Sequence, residues 1–127
     1  MKVKSALVVL ALVAVSAAAL TGVAGAGQAA RTTVTIEGPQ GDFQGTILSD
    51  DVHCLGGRTV RVFMQTQEGE PFQRIASDTS ERHGRRGEWS VGNTGFRDGS
   101  FYARATKAPG CRAGRSPTIV LVNGEPQ

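Results

Sequence analysis

The sequence is poor in the residues that catalysis and metal binding draw on. It holds two cysteines, two histidines, one tryptophan and one tyrosine. Cys54 and Cys111 are far apart in the chain, as are His53 and His83, so the paired Cys or His spacing of a zinc site is absent. The one mixed set of possible ligands is His53 with Asp50, Asp51 and His83, read instead as solvated loop residues; Asp50-Asp51 near Asp78 could hold calcium weakly, but basic neighbours oppose it. No metal and no cofactor are expected. A nucleophile elbow is missing too. Ser49, Ser80 and Ser116 have only His53 or His83 as possible bases, and no loop carries an anion-hole signature. The chain is therefore read as non-catalytic. It also lacks an internal repeat, a low-complexity tract and an amphipathic helix. Beyond residue 26 there is no apolar run long enough to cross a bilayer.

The N-terminus differs from the rest. Met1-Lys2-Val3-Lys4 is a short basic stretch, and Ala6 to Leu20 is apolar except for Ser16. Ala24-Gly25-Ala26 supplies small residues for cleavage. This order is that of a secretory signal peptide over residues 1–26, with a cut after Ala29 as the alternative. An uncleaved anchor is the competing reading. It is disfavoured by the Ala- and Gly-rich second half and by the lack of a basic flank after it. No cysteine follows the run and no arginine pair precedes it, which argues against a lipidated or twin-arginine leader. The membrane is then met only through the signal peptide. The expected location is outside the cell or in its envelope.

Charge must be counted without the leader. The whole chain has 14 Lys+Arg against 11 Asp+Glu, net +3. Losing Lys2 and Lys4 leaves 12 basic residues against 11 acidic ones, net +1. A nearly neutral domain has no general attraction to nucleic acid or anionic lipid. Lys107 is then the only lysine; the other basic residues are arginine. Two cysteines in an exported chain are most simply one disulfide, Cys54 to Cys111, although free thiols or a bond between chains fit the same count.

What the chain does have is alternation. Residues 27–31 read as a lead-in, 32–123 as one domain and 124–127 as a tail. Thr32 to Glu37, Asp42 to Ser49, Arg58 to Gln67, Phe72 to Ser77, Glu88 to Val91, Gly99 to Lys107 and Pro117 to Asn123 read as strands. Val60, Val62 and Met64 share one face; Thr59, Arg61 and Phe63 share the other, so one face of that strand is wet. Phe101, Ala103 and Ala105 oppose Tyr102, Arg104 and Thr106. Trp89 and Val91 point inward, and Gly45 marks the close approach of another backbone. Seven strands with turn signals between them predict an all-β fold, a seven-stranded antiparallel β-sandwich.

If the strands alternate in direction, the loops at 50–57, 78–86 and 108–116 fall at one end. Two of them carry the cysteines, and a disulfide needs its Cα atoms within about 7 Å. The topology and the bond thus support each other. That end gathers His53, Arg58, Arg82, His83, Arg85, Arg86, Lys107, Arg112 and Arg115 against Asp50, Asp51, Asp78 and Glu81. Arginine forks suit carboxylates, phosphates and sulfates. His53, Arg82, His83, Arg85, Arg86, Arg112 and Arg115 are the candidate binding residues. A merely solvated end is the plain alternative.

Four stretches carry a family likeness: Phe43-Gln44-Gly45-Thr46-Ile47, Gly57-Arg58-Thr59-Val60-Arg61-Val62-Phe63, Gly87-Glu88-Trp89-Ser90-Val91 and Gly99-Ser100-Phe101-Tyr102-Ala103. In these the chain resembles a small exported bacterial (actinobacteria-like) β-sandwich domain of carboxypeptidase regulatory-like, transthyretin-like or immunoglobulin-like type. The resemblance implies a structural, adhesive or accessory module and hands over no functional residue. The expected partner is an anionic envelope polymer, a glycan or a protein, and not nucleic acid. A small-ligand carrier or hydrolase with a pocket under the loops is the alternative. Self-association through an edge strand is a third possibility.

Overall fold

The computed structural model describes residues 28–127. The expected signal peptide, residues 1–26, lies outside the described residues, as does Gly27. The described chain is all-β, with two antiparallel sheets. The smaller sheet has the order β1-β2-β6-β5, from β1 (Thr33–Val34), β2 (Asp42–Leu48), β6 (Arg86–Asn93) and β5 (Glu81–His83). The larger runs β10-β9-β7-β3-β4, from β10 (Glu125–Pro126), β9 (Ile119–Val122), β7 (Gly99–Ala105), β3 (Thr59–Gln65) and β4 (Gln73–Thr79). The short β8 (Gly114–Arg115) also pairs with β7, at its C-terminal end.

The expected count of seven strands is corrected to ten. The extra ones are β5, β8 and β10, which fall where sequence patterning predicts loops or a tail. Glu81, Arg82 and His83 are all exposed, so β5 has no apolar face to announce it. Backbone pairing with β6 holds it instead. Residues 78–86 are therefore no polar loop. β4 and β5 form one nearly continuous run that leaves the larger sheet at Ser80 and joins the smaller one. Ser80 is buried at this joint. Its Oγ donates to the Leu55 carbonyl at 2.7 Å and accepts from the Arg58 amide at 3.1 Å. Its own amide donates to the Arg58 carbonyl at 2.8 Å. A polar side chain is tolerated in such a place because both its functions are used.

The inward faces meet in one core. Val34, Phe43, Ile47 and Trp89 come from the smaller sheet, with Ile36 just beyond β1, and Val60, Val62, Phe101, Ala103, Ala105 and Leu121 from the larger. Phe43 packs on Phe101 with ring centres 4.6 Å apart. The predicted alternation holds: Val60 and Val62 are buried, while Arg61 and Phe63 lie on the outer face. Trp89 is buried as expected. β9 buries one face only. Leu121 is buried, but Val120 and Val122 are 42% and 47% exposed.

Gly45 confirms the close approach expected there. A Cβ at this position would collide with the Thr35 carbonyl and crowd the Trp89 ring at 2.8 Å. The obstacle is backbone, which cannot swing away. Gly45→Ala is expected to lower stability by about 1–3 kcal/mol, the range for overpacked cores. Urea unfolding monitored by tryptophan fluorescence measures it directly, and an unchanged midpoint would contradict the packing described.

Candidate functional site

The end that bears the cysteines is assembled as expected. Cys54 and Cys111 form a disulfide, with Cα atoms 5.6 Å apart. Cys54 closes a short 3-10 turn, Val52–Cys54, in which Asp51 accepts from the His53 amide at 2.9 Å. Gly56 lies against the backbone of Arg82, so the start of the β5–β6 hairpin joins the same end.

Arg58 is the residue that sequence reasoning misplaced. It does not belong to a basic surface; it is 2% exposed. Nη1 donates to Thr32 Oγ1 and to the Cys54 carbonyl, both at 3.0 Å. Nη2 donates to the carbonyls of Thr106 and Arg112, both at 2.8 Å. Nε has no partner. Burial pulls the guanidinium below the ordinary arginine range, but four oxygen acceptors converge on the charged form, and arginine keeps its proton in proteins. The signal for this burial was present in the strand parity. Position 58 is in phase with Val60 and Val62, so its side chain must turn inward.

The other candidates scatter. His53, Arg82, His83, Arg85, Arg86, Arg112 and Arg115 are all exposed. Arg82, His83, Arg85 and Arg86 sit on the β5–β6 hairpin rather than in a loop. Arg82 Nε donates to the Gly84 carbonyl at 2.9 Å. Arg86 pairs with Glu88 at 2.8 Å, and His83 Nε2 lies 3.6 Å from Glu88 and 3.7 Å from Glu81. The hairpin is thus of mixed charge. Glu81, His83, Arg86 and Glu88 line an open hollow of about 530 Å³ on the outer face of the smaller sheet, together with Glu37 and Asp78. The serines considered as nucleophiles are engaged with backbone. Ser80 Oγ is held as described, Ser116 Oγ donates to the Pro117 carbonyl, and Ser49 Oγ accepts from the Asp51 amide.

Arg115 lies elsewhere, on the outer face of the larger sheet. There the topology creates an arrangement that no single strand shows. Arg61 on β3 is directly opposite Arg104 on β7, and Arg104 is directly opposite Arg115 on β8. Two residues along, Phe63 is opposite Tyr102 on one side and Arg74 of β4 on the other. The Phe63 and Tyr102 rings stack at 5.0 Å, and Phe72 tilts against Tyr102 at 4.9 Å. The Arg115 guanidinium covers Tyr102 at 3.6 Å. A shallow hollow of about 370 Å³ opens beside it, lined by Tyr102, Arg104, Ala113, Gly114 and Arg115. Among the described residues the ion pairs all lie on β5 and β6, so Arg61, Arg74, Arg104 and Arg115 face no carboxylate partner. Like charges directly opposite on a sheet destabilise it.

The outward phase of Arg61, Phe63, Tyr102 and Arg104 was legible in the sequence, but which strands are neighbours was not. No protein-family model and no curated protein sequence matches the chain, so the transthyretin-like resemblance rests on its four short motifs alone.

Proposed function

We propose that the protein is an exported, non-catalytic binding module, a β-sandwich of transthyretin-like type that holds an anionic partner on the outer face of its larger sheet. Export is supported by the leader pattern and by the disulfide, which persists in oxidising compartments. The binding reading is carried by one observation: three arginines in consecutive cross-strand register with no carboxylate among them. Such a row costs the free protein stability, and an anion is the ligand that would relieve it. Of the seven candidate residues, Arg115 is the one that belongs to this surface. The loop end does not serve as well, because Glu81 and Glu88 already answer His83 and Arg86.

Replacing Arg61, Arg104 and Arg115 together by Gln tests the reading. Retention on a sulfated or carboxylated matrix should fall sharply and lose its dependence on salt. Stability should move little. Losing the Arg115–Tyr102 contact costs about 0.5–1 kcal/mol, and relief of like-charge repulsion offsets it. Retention equal to that of the unaltered protein would overturn the proposal.

A further inference from the structure

Resting on that reading, we infer that the partner is an anionic polysaccharide, laid across the strands and held by charge rather than by ring stacking. The outer face of the larger sheet is ordered in rows that run perpendicular to the strands. Thr79, Thr59 and Thr106 form a hydroxyl row: Thr59 is opposite Thr79, and the Thr106 amide donates to the Thr59 carbonyl. Next comes the arginine row, Ser77, Arg61, Arg104 and Arg115. The third row is Arg74, Phe63 and Tyr102. Hydroxyls, charges and an apolar strip thus lie side by side, and the groups of a row repeat at the strand spacing of about 4.8 Å.

Two of the rows answer properties of an acidic sugar chain. The arginines meet its carboxylates or sulfates and the threonines its hydroxyls, while the aromatic strip, its Tyr102 ring already covered, only borders them. Repetition matters here. The Arg115 guanidinium rests over Tyr102, and its Cα stands beside Arg104, two strands from Arg61. The forks therefore address successive charges rather than converging on one small anion.

The same geometry disfavours nucleic acid. Single strands are gripped by stacking bases on open aromatic faces. Here the Tyr102 ring lies between Phe63 and the Arg115 guanidinium, with Phe72 tilted against it. Duplex DNA admits a helix or a two-stranded ribbon to its major groove, and the face of a six-stranded sheet is too broad to enter.

The test uses the disulfide-bonded protein in titration calorimetry with polygalacturonate, dextran sulfate, polyphosphate and oligothymidylate at matched charge. Binding should be strongest to one of the two acidic glycans. Arg104→Gln should weaken it about tenfold, in line with loss of a charge-assisted hydrogen bond. Thr59→Ala with Thr106→Ala should weaken glycan binding about threefold and leave polyphosphate unaffected. Arg82→Gln with Arg85→Gln, on the hairpin, should bind as the unaltered protein does. Equal affinity for polyphosphate or oligothymidylate, still lost in Arg104→Gln, would overturn the glycan assignment and leave the anion-binding face standing. Failure to bind any of the four polymers would overturn both.

Discussion

Arg58→Met is expected to destabilise the protein by about 3–5 kcal/mol, the scale of losing a few charge-assisted hydrogen bonds from a buried network. Methionine follows the side chain only as far as the Nε position. What it removes is the donor set. Three carbonyls and one hydroxyl, from Cys54, Thr106, Arg112 and Thr32, would lose their shared partner in a dry place. Each buried polar group left unsatisfied costs about 1–3 kcal/mol. The cost of burying the guanidinium is recovered in the variant, so the sum over four acceptors overstates the loss. Arg58→Lys should recover less than half of it. An ammonium is a compact charge with three donors and cannot spread them over four acceptors as a planar fork does. Urea unfolding of both variants decides the matter. A loss under 1 kcal/mol in Arg58→Met would show that water or rearranged backbone replaces the guanidinium easily.

Breaking the Cys54–Cys111 bond should have a comparable effect by a different route. The cysteines are 57 residues apart. The chain-entropy account assigns a loop of that length about 4 kcal/mol, through the unfolded chain it restrains. The folded protein should change little on reduction, because Arg58 joins the Cys54 and Arg112 carbonyls and so ties the same two segments. Reduced protein, or Cys54→Ser with Cys111→Ser, should therefore keep its native spectrum while its urea midpoint falls. Loss of native structure on reduction at neutral pH without denaturant would contradict this. Arg58→Met in reduced protein removes both ties. Their sum, about 8 kcal/mol, equals or exceeds the whole stability of many small domains, and this variant is expected to be unfolded.

Much of the fold was legible because its cues are local. Alternation marked β3 and β7, Trp89 and Phe101 marked the inward faces, and the cysteines marked one end. The smallest strands were not legible. β5 is polar on both faces, and β8 and β10 are two residues long, so backbone pairing makes them where no side-chain pattern asks for them. Arg58 was misread for another reason. Its parity pointed inward while its charge pointed outward, and the packed structure follows parity because four acceptors from distant segments meet there. The arginine row was invisible for want of strand order. Arg115 gains its meaning only when the chain returns and sets β8 beside β7.

The N-terminal stretch before β1 is fastened late. The Ala30 amide donates to the Gly110 carbonyl, the Arg112 amide donates to the Ala30 carbonyl, and Thr32 Oγ1 donates to the Arg112 carbonyl. Two of the four acceptors of Arg58, Thr106 and Arg112, also come from this late part of the chain. A polypeptide emerging from its N-terminus therefore cannot complete its core until the final sixth or so of its length is out. Until then the buried cation has no place to go and stays in water. Premature folding is discouraged by the order in which the pieces arrive, an order that would suit the export proposed above.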